Sequence, residues 1–309
     1  PSSLEIALKR AYPKVNPPED TPAKMPSALD VALKRTEIEY LSVKGSIPKD
    51  EDYFQQAVAH SKEGNREAAL ADFDKAISLN AGEWLYYSNR GDTRVAMEDY
   101  DGAVADFSEA IRRNLGCASL HNKRGVSLHQ LGCYGVALAD FDRAISLDGS
   151  RWLYYSNRGD TREALEDFDG AIADFSFAIS LKPDAAFPYY LRGSLLHESG
   201  CDEAALTDFD EAISLNAGEW LYYSGRGDVR EAMQDYDGAI ADFSEAIRLD
   251  PSHACDYNSR GSLLHGQGKY QEALEDFDEA IILDSEESSY YFRRGETRKA
   301  LEDYDGAIA

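Results

Sequence analysis

A phenylalanine returns every 34 residues through most of this chain, at Phe73, Phe107, Phe141, Phe175, Phe209, Phe243 and Phe277. Three further registers keep the same step. Ala69, Ala103, Ala137, Ala171, Ala205, Ala239, Ala273 and Ala307 form one; Ala76, Ala110, Ala144, Ala178, Ala212, Ala246 and Ala280 form the second; Gly91, Gly125, Gly159, Gly193, Gly227, Gly261 and Gly295 form the third. Self-similarity sustained at such a period specifies a solenoid. Each repeat is one supersecondary unit that cannot bury its apolar face alone, and stacking on its neighbours completes the core. Length by itself would suggest two globular domains. A solenoid grows by addition instead, so the period overrides that expectation.

Within 152–185 the run WLYYSNRGDTREAL reads as one helix and GAIADFSFAISL as the next, with EDFD between them. Tyr155, Arg158 and Gly159 stand at i, i+3 and i+4 of the first helix; Ala171, Phe175 and Ala178 stand at i, i+4 and i+7 of the second. The small residues let the two helices approach, and the Phe fills the space between. An aromatic, a Gly, an Ala, an aromatic and a second Ala at these spacings resemble the tetratricopeptide repeat family. Seven repeats match in length without insertion, 50–83, 84–117, 118–151, 152–185, 186–219, 220–253 and 254–287, and an eighth, 288–309, stops inside its second helix. The resemblance covers about five-sixths of the chain. It implies an all-α fold: a right-handed superhelical solenoid of helix-turn-helix repeats over 50–309, behind an N-terminal extension over 1–49.

Odd and even repeats differ, so the underlying duplication is 68 residues long. Even repeats read YYSNRGDTR…EDYDGAIADFS with small variations. Odd repeats place Gly64, Gly132, Gly200 and Gly268 at the turn between helices, where even repeats carry Glu98, Glu166, Gln234 and Glu302. Features of the concave face should then recur at two-repeat spacing. Trp84, Trp152 and Trp220 do so, as do His129, His197 and His265.

The net charge of −25 is uneven. Residues 1–49 hold eight Lys and Arg against six Asp and Glu, a balance of +2, which leaves −27 on the remainder. Such a surface repels phosphate backbones and anionic membranes, which excludes nucleic acid as an expected partner. A basic protein or peptide is its natural complement. No apolar run approaches a membrane span of about 20 residues, and no signal-peptide pattern appears. Cys117, Cys133, Cys201 and Cys255 are sparse, and Cys133 and Cys201 occupy equivalent positions two repeats apart. Packed helices lie about 8–10 Å apart, too far for those two to meet the Cα separation of about 7 Å that a disulfide requires. Free thiols in an intracellular, reducing compartment, the cytoplasm or an organelle interior, are therefore expected. The sequence starts without Met and stops inside a repeat, which reads as a fragment or a processed form.

Seven of the ten prolines lie in the first 49 residues, at Pro1, Pro13, Pro17, Pro18, Pro22, Pro26 and Pro48. Two near-copies stand among them, PSSLEIALKR from Pro1 and PSALDVALKR from Pro26. Each has a Ser for the N-cap, an acidic first turn and a Lys-Arg end, the start and stop signals of a short helix. Leu4 and Leu8, with Lys9 and Arg10, form the first candidate docking motif; Leu29 and Leu33, with Lys34 and Arg35, form the second. They serve either to cap the open end of the solenoid or to dock a partner that offers two like sites.

An Arg precedes the repeat Gly and an Asp precedes the repeat Phe in almost every repeat, as in Arg158 and Asp174. This reads as a ladder of ion pairs joining helices. The three histidines recur too far apart to share one ion, whose bonds to nitrogen span about 2.0–2.1 Å, so no metal or cofactor is expected. No nucleophile–base pair or phosphate loop rises from the sequence, and the chain reads as non-enzymatic.

Carried over from the family, the face lined by first helices holds extended peptides. That resemblance places Asn89, Asp92, Asn122, His129, Asn157, Asp160, Tyr190, His197, Asp228, Asn258, His265 and Glu296 in a partner-binding groove. The Asn side chains could bond a ligand backbone, and the Asp92, Asp160, Asp228 and Glu296 series makes the groove acidic. The Lys/Asn pair with which part of the family clamps a carboxylate tail is absent: Ser88 with Asp92, and Asn122 with Val126, stand in its place. The expected function is a scaffold that holds a partner protein or a basic peptide. The rivals are a structural subunit of a large complex, docking through its arm and convex face, and the targeting region of a larger enzyme.

Overall fold

The computed structural model describes residues 49–308. The two arm motifs, with Leu4, Leu8, Lys9, Arg10, Leu29, Leu33, Lys34 and Arg35, lie outside the described residues. The described residues divide into two compact bodies, one up to residue 115 and the other from residue 116. In the first, α1 (Lys49–Lys62) pairs with α2 (Arg66–Leu79), and α3 (Trp84–Ala96) with α4 (Tyr100–Arg113). In the second the pairs are α5 (Ala118–Gln130) with α6 (Tyr134–Leu147) and α7 (Trp152–Glu163) with α8 (Phe168–Leu181). They continue as α9 (Ala186–Glu198) with α10 (Asp202–Leu215), α11 (Trp220–Ala232) with α12 (Tyr236–Leu249) and α13 (Ala254–Gly266) with α14 (Tyr270–Leu283). The last pair is α15 (Ser288–Ala300) with the short α16 (Tyr304–Ile308). Among the described residues there are sixteen helices and no strand, as the period requires.

The repeat Phe does what its spacing implies. Phe73, Phe107, Phe141, Phe175, Phe209, Phe243 and Phe277 are all buried to within 1% of full burial, as are the flanking Ala69, Ala103, Ala137, Ala171, Ala205, Ala239 and Ala273. The helices meet so closely that the first one must present a Gly. A Cβ added to Gly159 would stand 2.7 Å from Cε1 of Phe175. Repeat 5 departs from this. Phe209 leans away from Gly193 toward the following repeat, where a Cβ on Gly225 would stand only 2.5 Å from its ring. Gly225 occupies the position of Asn89 and Asn157, so the missing side chain is what admits the ring.

The second helix starts two residues earlier than its apolar pattern suggests, at Phe168 rather than Gly170. Asp167 is the reason: its carboxylate accepts the Gly170 N–H at 3.1 Å and caps the helix, so the turn ends at once. The preceding helix closes with a left-handed residue. The Asp167 N–H reaches back to the Arg162 carbonyl and the Glu166 N–H to that of Glu163, the paired bonds of a Schellman motif. Gly64, Gly132, Gly200 and Gly268 supply the positive φ in odd repeats, but Glu98, Glu166, Gln234 and Glu302 supply it in even ones, at φ of 61° to 63°. A left-handed residue with a Cβ costs about 1–2 kcal/mol, partly offset by the lower chain entropy of a non-Gly residue. Glu166→Gly should therefore raise stability by about 0.5–1 kcal/mol in denaturant unfolding. A loss of stability would refute the account of this turn.

Candidate functional site

The Arg and Asp of each repeat build a ladder. Arg158 donates through Nε and Nη2 to the buried carboxylate of Asp174 at 2.9 and 2.6 Å. Its remaining arm reaches Asp142 of the repeat before, at 2.6 Å. Arg226 makes the same set with Asp242 and Asp210. Arg192 and Arg260 hold Asp208 and Asp276 in the same bidentate way, with Ser176 and Ser244 as the neighbouring link. In repeat 1, where Gln56 replaces the Arg, Asp72 takes His60 at 3.1 Å and Lys75 at 2.9 Å instead. Burial pushes the Asp140 carboxyl up, but hydrogen bonds from Arg124 and His121 outweigh it and hold the group below its ordinary range.

Even repeats add a second cation to each buried Asp. Arg162 donates to Asp174 at 2.8 Å and to the Gly170 carbonyl at 3.2 Å. Arg230 does the same for Asp242 at 2.7 Å, and Arg94 for Asp106 at 2.9 Å. These arginines stand two positions after Asp160, Asp228 and Asp92, and they are drawn to the second helix of their own repeat instead.

The first helices lie against one another within each body, as in α1 with α3, α5 with α7, α9 with α11 and α13 with α15. Every one of these contacts joins an odd repeat to the even repeat after it, so the two-repeat alternation of the sequence is also an alternation of packing. Polar side chains stitch these seams. His129 pairs with Thr161 at 3.0 Å, His265 with Thr297 at 2.9 Å, and Ser61 with Thr93 at 3.5 Å. The fourth seam differs. Val229 replaces the Thr, and His197 turns to Asp202 of its own repeat at 2.7 Å. Apolar packing takes over there, with Tyr190, Leu191, Leu195, Phe209, Tyr222 and Val229 in one cluster.

Several proposed groove residues thus serve the solenoid itself. Asn157 donates to Asn122 at 2.9 Å, and Asn89 donates to the Leu85 carbonyl of its own helix at 2.8 Å. Asn258 matches Asn122, but Arg293 stands where Asn157 would, and the buried Oδ1 of Asn258 has no hydrogen-bond partner. Tyr190 is buried against Phe209 and Tyr222. Trp152 is a packing residue rather than a groove marker, buried on Ala178 and Ala185, whereas Trp84 and Trp220 are half-buried.

The acidic series stands on the first helices. Asp92 and Glu296 are exposed, and Asp160 lies 3.6 Å from Nε2 of His129. Two more carboxylates join Asp160 and Asp228, one helical turn further along the same helices: Glu163 and Glu231. Burial, then the charges of Asp160 and Glu198, raise Glu163 to about 8. Asp228 is exposed as well, and the protein packed beneath it, then the charges of Asp256 and Glu231 against those of His197 and His253, push its carboxyl up. Burial also raises Glu198 and Glu231. Among the described residues no helix is long and apolar enough to cross a membrane.

Sequence profiles described as tetratricopeptide repeat match residues 53–83, 88–151, 153–219, 203–254 and 224–288. The chain belongs to the tetratricopeptide repeat family. Proteins of this fold are protein–protein interaction scaffolds. No curated protein matches the sequence. Among solved structures, a tetratricopeptide repeat protein from Parabacteroides merdae aligns over 81% of this chain and 98% of its own, with 17% identity and a TM-score of 0.63. Pseudomonas aeruginosa pilF aligns over 62% of this chain and 87% of its own, with 18% identity and a TM-score of 0.58. YrrB, described as a tetratricopeptide repeat protein with an unusual peptide-binding site, aligns over 60% and 95%, with 23% identity and a TM-score of 0.50. At these identities the likeness is one of fold.

Proposed function

We propose that this tetratricopeptide repeat protein is a non-enzymatic scaffold that holds a basic segment of a partner protein along its first helices. One observation carries the reading. The repeat arginines are withdrawn into the helix-joining ladder, while Asp160, Glu163, Asp228 and Glu231 stay on the inner face. The face therefore carries an excess of acidic groups over cations, and cationic side chains are its electrostatic complement. The committed asparagines leave less capacity for bonding a ligand backbone, so charge is the main source of selectivity.

A Lys/Arg-rich peptide should bind in a calorimetric or fluorescence titration, and a Glu-rich peptide of equal length should not. Affinity should fall as added salt shortens the Debye length from about 10 Å at 0.1 M. Asp160→Lys should weaken binding by roughly tenfold, mostly through slower association. Preference for the acidic peptide, or indifference to salt, would overturn the reading.

A further inference from the structure

The four odd-to-even seams carry, at one repeat position, Phe54, Asn122, Tyr190 and Asn258. Three of these side chains are occupied. Phe54 packs on Phe73 and Tyr86, with ring centroids 6.0 and 5.0 Å away. Asn122 accepts from Asn157 at 2.9 Å, and Tyr190 packs on Phe209 and Tyr222. Asn258 differs. Its Oδ1 is shut off from solvent and has no hydrogen-bond partner among the described residues. Arg293 of α15 stands where Asn157 bridges the α5/α7 seam. A buried acceptor left unpaired is unfavourable unless a ligand or a water supplies the donor. One turn further along the same face of α13, a cleft of about 180 Å³ opens toward α15. Ser262 and His265 of α13 line it with Phe292, Arg293 and Glu296 of α15, and the buried Phe277 stands behind them.

The polar groups around this cleft are mostly acceptors. Ser262 Oγ donates its hydrogen to the Asn258 carbonyl at 2.7 Å, which leaves only lone pairs. Thr297 Oγ1 donates to the Arg293 carbonyl at 2.8 Å, so in its contact with His265 Nδ1 at 2.9 Å the hydroxyl accepts. Nδ1 then carries the imidazole hydrogen, and Nε2 of the neutral ring presents a lone pair. Glu296 adds an exposed carboxylate that Lys299 approaches only to 4.0 Å. Phe292 is 70% exposed. The bridged α5/α7 seam has Val126 and Ser156 in place of Ser262 and Phe292.

We propose that this cleft is a lysine subsite, in which the side-chain ammonium of a partner donates to Asn258, Ser262, His265 and Glu296 while its aliphatic stem lies on Phe292. An ammonium brings three donors and no acceptor, the complement of such a lining. A guanidinium is a flat fork that seeks one carboxylate bidentately, which the cleft does not offer it in isolation. The aromatic face adds a cation–π attraction and covers the stem. Arg293 is the one cation of the lining, and it is exposed, so water and salt screen its charge. The partner's basic character rests on the reading above; the subsite adds which basic group is taken and where.

The test titrates Nα-acetyl-lysine methylamide into the full chain and follows the Asn258 side-chain amide by NMR. That amide should shift saturably, and the norleucine analogue, which lacks the ammonium, should leave it unmoved. Arg293→Asn restores the bridge seen at Asn157 and should weaken lysine binding about tenfold, the effect of losing a hydrogen bond to a charged group. Arg293→Ala removes the same charge without the bridge and should bind at least as tightly as the parent. Surface charge alone would make both variants bind more tightly. Like behaviour of the two variants, no saturable shift in the parent, or an equal response to norleucine overturns the proposal. Should Arg293→Asn fail to fold, Ser262→Val, which copies Val126 of the bridged seam, should weaken lysine binding in its place, and unchanged affinity overturns the proposal. Decalysine separates the two readings. If decalysine binds and the single lysine leaves Asn258 unmoved, the basic-partner reading stands and the subsite fails. If the single lysine binds and decalysine does not, the subsite stands and the extended basic partner fails.

Discussion

Truncating Phe175 to alanine should remove about 3–5 kcal/mol of stability, the sum of lost transfer energy and an unfilled cavity. The ring is fully buried. Gly159 and the small Ala171, which pack against it, cannot collapse into the space. The cost should therefore sit toward the upper end of the range, where relaxation is poorest. Phe177, two residues on, makes a useful contrast. It is 46% exposed and packs against Tyr155 with the rings tilted and their centroids 4.5 Å apart. Phe177→Ala should cost no more than about 1 kcal/mol, in the range of a single aromatic pair. Equilibrium denaturation of both variants checks the pair. Similar costs at the two positions would mean that the repeat register is misplaced.

Asp174→Ala should cost about as much, roughly 3–5 kcal/mol, for a different reason. Its carboxylate takes three hydrogen bonds, two from Arg158 and one from Arg162. Removing it leaves two guanidinium groups without their partner, Arg158 among them largely buried. The penalty is the stranded charge, not the net worth of the pair, so a double replacement of Asp174 and Arg158 by apolar residues should recover much of the loss. Asp208→Ala should cost less, since Asp208 serves Arg192 alone among the repeat arginines. Equal penalties at Asp174 and Asp208 would show that Arg162 contributes nothing to the ladder.

The fold was legible because it rests on residues that repeat without exception. Phe175 and its equivalents are confined to one role by sterics, so their period carries directly into the packing. The Arg–Asp ladder was legible for the same reason, with Gln56 of repeat 1 as its departure. The inner face was only partly so. Asp160 and Asp228 follow from register, but Glu163 and Glu231 lie at the position held by Ser61, His129, His197 and His265 in odd repeats and by Val95 or Lys299 in other even ones. A position so varied has no period to find. The signal that was present is local: Glu163 and Glu231 follow Asp160 and Asp228 by three residues, hence share a helix face. Asn122 and Asn157 illustrate the opposite limit. Register puts both on the inner face, but their mutual hydrogen bond depends on the approach of α5 to α7, which a period does not encode. Trp152 was misread because recurrence at two-repeat spacing marks duplication, not exposure.

The alternation of seams between first helices has a mechanical consequence. Under tension applied along the chain, a body built this way is stiffest across the seams that His129 and His265 close, and more compliant where α7 meets α9 and where Ser224 and Asp256 join α11 to α13. Rupture should begin at those compliant joints and release the array in blocks of two repeats. Each 68-residue block pays out on the order of 230 Å of contour at about 3.4 Å per residue. Elasticity, like sequence, would then be quantised at twice the length of the visible repeat.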